Sequence, residues 1–284
     1  MTAVVVDSHH HFWDPARRDY YWMGDELATI RRRFGPEDLR PLLTAARVDR
    51  TIVVQTIPSV DETREFLATA ADTDFVAGVV GWVDLTDPSV GKTVDELRAG
   101  PGGEFLVGIR HQVHDEPDAD WLLRQDVVRG IKAVGDAGLV YDILVRTREL
   151  PAALEVVQKL PDVSFVVDHI AKPRIAAGAS DPEWEQAMAP LGECPNVACK
   201  LSGMVTEASW TDWSLDELRP YVHRVIGWFG SERCMFGSDW PVCELAATYE
   251  EVVEALRETV RDLNSADQEA IFGGNATRVY RLSV

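Results

Sequence analysis

The chain has 284 residues, 46% of them hydrophobic, and a formal net charge of -19. This length and apolar content support one large buried core, and a barrel-sized domain fits as readily as two smaller ones. The negative charge opposes binding to nucleic acid or to an anionic membrane surface and suits a neutral small molecule.

The apolar stretches, of which 75–83 is among the longest, are too short to span a bilayer, and no basic segment precedes a signal-like region. The expectation is a cytoplasmic protein with no membrane partner. Cys194, Cys199, Cys234 and Cys243 show no C-x-x-C spacing, which reads as reduced thiols.

The first apolar run, Val4-Val5-Val6, leads into Asp7 and the triplet His9-His10-His11. Alternation along a strand puts His9 and His11 on one face with Asp7, and His10 on the other. Two convergent imidazoles at a strand end can hold a divalent metal or, without one, orient a water molecule or a carbonyl oxygen. Residues 12–35 follow as a long first connection rich in aromatics, among them Trp13, Tyr20, Tyr21 and Trp22. A loop of this kind reads either as a substrate wall or as a surface excursion packed on the rim.

Apolar runs rich in valine and isoleucine continue at 51–57, 75–83, 105–112, 139–145, 164–170, 197–202 and 234–239. Between them, amphipathic stretches at 36–47, 61–71, 122–137, 149–160, 183–192, 215–229 and 249–263 read as helices. Continuous hydrophobicity implies strands buried on both faces, and the βα repetition predicts an α/β fold: a single-domain (β/α)8 barrel over 1–284. A doubly wound open sheet is the alternative, but no glycine-rich turn follows the first strand.

In a barrel the chemistry sits at the C-terminal ends of the strands. Reading those ends in order gives His9 and His11, Gln55, Trp82 and Asp84, Arg110 and His111, Asp142 and Arg146, Asp168 and His169, Lys200 and Ser202, then Asp239 and Trp240. Asp7 and Asp168 read as groups that orient neighbouring imidazoles. Lys200, flanked by apolar residues, either pairs with a carboxylate or contacts substrate. His114 and His223 fall away from the strand ends and read as surface or packing residues.

Several of these segments carry a resemblance: Val6-Asp7-Ser8-His9-His10-His11-Phe12-Trp13, Gly108-Ile109-Arg110-His111-Gln112, Val167-Asp168-His169-Ile170-Ala171-Lys172-Pro173, Cys199-Lys200-Leu201-Ser202-Gly203 and Met235-Phe236-Gly237-Ser238-Asp239-Trp240-Pro241. Together with the ending Gly274-Asn275-Ala276-Thr277-Arg278-Val279-Tyr280, they resemble the sugar-lactonase branch of the amidohydrolase superfamily, its L-fuconolactonase-like members in particular. The resemblance implies a barrel hydrolase that opens an L-fucono- or L-galactono-type lactone to the aldonic acid. His9 and His11 match the first-strand H-x-H pair, His169 the sixth-strand histidine and Asp239 the eighth-strand aspartate.

In the implied chemistry Asp239 takes a proton from water while His169, with His9 and His11 or a metal, polarises the carbonyl. Arg110, Lys200, Trp82, Tyr141 and Trp240 are the candidates for holding the sugar. Arg110-His111 and Tyr141-Asp142 stand where binuclear members use a lysine and a histidine, which argues against a two-metal bridge. The cofactor expectation is either none or a single divalent ion, zinc foremost, on His9, His11 and Asp239. The competing functions are a metal-dependent decarboxylase of the same superfamily and a non-catalytic sugar-binding barrel.

Overall fold

The computed structural model describes residues 3–178 and 180–284. Eight parallel strands pair in chain order: β1 (Val6–His10), β2 (Arg50–Val54), β3 (Val76–Gly81), β4 (Leu106–Gln112), β5 (Val140–Leu144), β6 (Phe165–Val167), β7 (Val197–Leu201) and β8 (Cys234–Phe236). Helices α1 (Pro36–Ala46), α2 (Val60–Ala71), α3 (Val90–Ala99), α4 (Gln125–Asp136), α5 (Leu150–Lys159) and α6 (Pro182–Gly192) follow the first six strands. The short α7 (Met204–Glu207) and α8 (Leu215–Phe229) follow β7, and α9 (Tyr249–Thr259), α10 (Ser265–Glu269) and α11 (Asn275–Val279) complete the chain. This is the expected (β/α)8 barrel. Helix α3 is an addition to the expectation, with Val90, Val94 and Leu97 as its buried positions.

The strands are apolar on both faces because each face has a separate partner. Val6, Ile52, Val54, Val80, Val140, Val166, Ala198 and Met235 form an inner cluster, with Ala276, Tyr280 and Leu282 from the C-terminal segment packed into it. The alternate residues face the helices and belong to the larger outer core. Each fully buried aliphatic side chain contributes about 1.5–3 kcal/mol, which explains the dense valine usage. Helix starts are fixed locally: Ser59 accepts from the Glu62 amide, and Thr248 and Glu251 cap α9 reciprocally.

Closure between β1 and β8 is carried by residues just past β8. The Asp239 amide donates to the His9 carbonyl at 2.8 Å, and the His11 amide donates to the Trp240 carbonyl at 2.7 Å. Asp7 departs from simple alternation. It pairs with Thr51 while His10 pairs with Val53, so β1 carries an irregularity between them that shifts the side-chain phase. The Asp7 carboxylate therefore touches no imidazole; it accepts from the Ser238 amide and hydroxyl, the Tyr249 hydroxyl and the His9 amide.

The 12–35 loop is pinned at its base by paired hydrogen bonds between Trp13 and Phe34 at 3.1 and 2.9 Å. Its aromatic residues Trp13, Tyr20 and Trp22 meet in tilted and edge-to-face contacts 5.4–6.4 Å apart, and the Trp22 indole donates to the Thr56 carbonyl. No helix among the described residues is long and apolar enough to cross a membrane. The four cysteines are buried and unpaired.

Candidate active site

Four side chains meet at the C-terminal end of the barrel. The Nε2 atoms of His11, His169 and His9 lie 3.4, 3.7 and 3.8 Å from Oδ1 of Asp239. His9 and His11 come from the end of β1, His169 follows β6, and Asp239 follows β8. All four are at least nine-tenths buried.

The backbone that presents two of them is unusual. His169, Ile170, Ala171 and Lys172 all have φ between 48° and 58°, a left-handed turn, and Asp239 has φ 58°. Such residues cost roughly 1–2 kcal/mol each in L-amino acids, and they persist where the surroundings over-determine them. Here Trp184 donates to the Ile170 carbonyl at 2.7 Å, and Ser202 Oγ lies 2.8 Å from His169 Nδ1. Gly203, itself at φ 64°, leaves room for the His169 ring: a Cβ there would fall 2.6 Å from Nδ1.

Burial holds the three imidazoles neutral. His9 sits well below the ordinary histidine range through burial first and the Lys200 charge second, and His169 through burial first and His9 second. His11 is lowered by burial as well. For Asp168, burial raises the carboxyl, but Lys200 and Arg110 outweigh it and keep it anionic.

Above this cluster opens a cavity of about 150 Å³. His11, Arg110, His169 and Asp239 line its floor, and Trp22, Thr56, Gln112, His114, Asp115, Lys172, Leu144 and Val242 form its walls. Arg110 is anchored by Asp168 at 3.0 Å and by Gln55, and its Nη1 lies 3.2 Å from His9 Nε2.

Of the five expected substrate-holding residues, only Arg110 lines this cavity. Lys200 is fully buried in the barrel interior, its ammonium 2.6 Å from Asp142 and 3.0 Å from Asp168. Tyr141 is one residue out of phase with the inward Val140 and Asp142; it packs on Phe165 in the outer core. Trp240 is buried against Phe12 and Phe34 and donates to Glu244. Trp82 donates its indole proton to His111 Nδ1.

His114, read from sequence as a packing residue, lines the cavity, as does Lys172, whose Nζ is 2.9 Å from Glu207. Both stand on irregular segments after a strand, where periodicity gives no direction. The Gly-Ile-Arg-His-Gln and Asp-His-Ile-Ala-Lys-Pro segments that carry the resemblance end within two residues of them. His223, by contrast, packs against the Thr259 carbonyl.

His9, His169 and Asp239 offer two imidazole nitrogens and a carboxylate oxygen within 4.8 Å of one another, a donor set that fits a divalent ion. The expected set of His9, His11 and Asp239 is drawn together as closely, with Nε2–Nε2 3.2 Å and Nε2–Oδ1 distances of 3.4 and 3.8 Å, so His169 adds a further donor to it.

The amidohydrolase family model matches residues 6–282. An L-fucono-1,5-lactonase of Burkholderia ambifaria is 42% identical over 281 residues, covering 98% of this chain and 95% of that one. An L-fucono-1,5-lactonase of Burkholderia multivorans is 37% identical, covering 99% and 97%. A crystal structure of an amidohydrolase from Burkholderia multivorans with bound zinc superposes with a TM-score of 0.93 at 37% identity, over 99% of this chain and all of that one. With the fold and these full-length likenesses in agreement, the chain belongs to the amidohydrolase family.

Proposed function

We propose that this protein hydrolyses a sugar lactone of the L-fucono-1,5 type to the open-chain aldonic acid. The observation that carries the reading is the convergence of three neutral imidazoles on one buried carboxylate at the floor of a cavity with mixed polar and aromatic walls. The likeness to two L-fucono-1,5-lactonases supports the substrate class.

Asp239 is the general base. It takes a proton from water as the oxygen attacks the lactone carbonyl, and returns it to the departing ring oxygen. His169 presents a ring nitrogen to the carbonyl oxygen with His9 packed behind it, and the Arg110 guanidinium beside them supplies fixed positive charge for the tetrahedral oxyanion. Preorganised donors of this kind are each worth roughly 10²–10³ in rate. Trp22, in the long first loop, forms a flat wall suited to a sugar ring.

A divalent ion, when bound, would be held by His9, His169 and Asp239 and would supply Lewis-acid polarisation of the carbonyl. The decarboxylase alternative fits less well, because β5 brings no histidine to the cluster and commits Asp142 to Lys200 and Tyr280.

A pH-indicator screen of aldonolactones, run on metal-stripped protein and repeated with zinc, tests reaction, substrate and metal together. Saturable acid release with L-fucono-1,5-lactone is expected; binding of the lactone without turnover would instead favour a sugar-binding barrel.

A further inference from the structure

Lys200, Tyr141 and Trp240 are expected sugar contacts that the fold buries completely, and of these Lys200 alone is charged. Burying an ammonium is costly, and an apolar residue could fill the same layer without that cost. Its ammonium donates to Asp142 Oδ2 at 2.6 Å, lies 3.3 Å from His9 Nδ1, and forms an ion pair with Asp168 Oδ1 at 3.0 Å. Asp142 is itself secured by the Tyr280 hydroxyl, 2.8 Å from both carboxylate oxygens.

The protons on the first-strand pair are set by their neighbours. His11 Nδ1 lies 2.8 Å from the Val54 carbonyl, which only accepts, so His11 carries its proton there and offers a lone pair at Nε2. His9 Nε2 is 3.2 Å from that lone pair, so the proton between the two nitrogens belongs to His9. His9 Nδ1 is then an acceptor, and Lys200 is the donor facing it.

The opposite tautomer would place two lone pairs 3.2 Å apart and an N–H against the ammonium. In its favour stand Arg110 Nη1 at 3.2 Å from Nε2, and Asp168 Oδ1, which is 3.3 Å from Nδ1 but out of hydrogen-bonding alignment. Arg110 is held by Gln55 and Asp168 in either tautomer, so beside an Nε2–H its Nη1 opposes that proton, a repulsion outweighed by the contacts of His9 with His11 and Lys200.

We propose that Lys200 is a positioning residue that fixes His9 in the Nε2–H tautomer, so that His9 Nε2 donates to His11 and offers no lone pair to a metal. The proposal rests on the lactonase reading for its kinetic consequence, but not for the tautomer itself. A metal on His9 Nε2 needs the lone pair at that atom, which requires the proton on Nδ1, against the ammonium. Lys200 therefore sets the balance between hydrogen-bond donation and metal binding at His9.

The test uses full-length, metal-stripped protein labelled with ¹⁵N-histidine, with the His9 signals assigned by their loss in His9→Asn. Long-range proton–nitrogen spectra of the wild type should show His9 protonated at Nε2 and bare at Nδ1. Lys200→Met should shift the population toward Nδ1–H. It should also tighten zinc binding and lower kcat with KM nearly unchanged, each by about tenfold or more, the usual scale for a group that orients a metal-site histidine. Tyr280→Phe, which only loosens the hold on Asp142, should move all three readouts the same way by less, and serves if Lys200→Met does not fold.

A wild-type His9 protonated at Nδ1, or a tautomer and zinc affinity unchanged in both variants, would overturn the proposal. Absence of lactone turnover by the wild type would overturn the lactonase reading and leave the tautomer result standing.

Discussion

The amide of Asp239 donates to the carbonyl of His9 at 2.8 Å, and this hydrogen bond is part of the seam that closes the barrel between β1 and the end of β8. The same bond sets the spacing between the proposed base and the first-strand imidazoles. Site geometry and barrel closure are thus one structural unit, and Asp7 secures it from the outer side by holding Ser238 and the His9 amide together. Asp7→Ala would leave two buried N–H groups without an acceptor and should cost about 2–5 kcal/mol of stability in denaturant unfolding. Asp7→Asn, which retains an acceptor, should cost clearly less.

Arg110 is the cavity-lining cation whose guanidinium reaches the reacting cluster most directly, 3.2 Å from His9. Arg110→Met removes that charge while keeping much of the side-chain bulk. The expected effect is a fall in kcat of roughly 10²-fold, the scale of losing one oxyanion-stabilising group. Steady-state hydrolysis rates at saturating lactone check it; a change confined to KM would assign Arg110 to substrate binding alone.

Gly203 allows His169 to stand where it does. In Gly203→Ala the new methyl group meets the His169 ring, and the positive φ adds backbone strain. Stability should fall by about 1–3 kcal/mol and kcat by an order of magnitude or more as the bond to Ser202 is lost. Thermal unfolding and lactone kinetics measured side by side would show both effects, whereas a drop in stability with unchanged kcat would remove His169 from the chemistry.

Trp22 lines the cavity and is held by ring contacts to Trp13 and Tyr20 and by its bond to the Thr56 carbonyl. Trp22→Ala should raise KM by about tenfold with little change in kcat, the pattern of lost uniform binding. A kcat loss of the same size would mean that the loop also orders the catalytic groups.

His10 faces away from the site, 2.9 Å from Thr51 Oγ1, and burial pushes its pKa down from 6.5 to about 3. In this case the unfolded chain takes up the proton first. The contribution is therefore fully present above pH 6.5 and is lost as pH falls toward 3, at up to about 1.4 kcal/mol per pH unit. Between pH 6.5 and 5 the wild type should lose roughly 1–2 kcal/mol more stability than His10→Asn. Parallel stability curves for the two proteins would show that His10 does not titrate differently on unfolding.

The barrel was legible because each strand is buried on both faces and reads as a short valine-rich run, with turn and cap residues between. His9, His11, His169 and Asp239 were legible because strand ends in this fold point at one mouth. Lys200, Tyr141 and Trp240 show where that rule stops. A residue near the end of a strand lines the mouth only if its phase is inward and its height is above the last packed layer; Tyr141 fails the first condition and Lys200 the second. Asp7 was misplaced because the irregularity in β1 depends on pairing with β2, which no single segment reveals. His114 and Lys172 stand on irregular backbone, where side-chain direction is decided by the tertiary packing of neighbouring loops.

Lactone hydrolysis in the proposed mechanism turns on Asp239 as the base. The most direct measurement compares wild type and Asp239→Asn for acid release from L-fucono-1,5-lactone, with matched folding verified by circular dichroism. Saturable turnover by the wild type is expected, with a kcat at least about 10³-fold lower in the variant, within the range for loss of a positioned general base. Near-normal turnover by Asp239→Asn would contradict it.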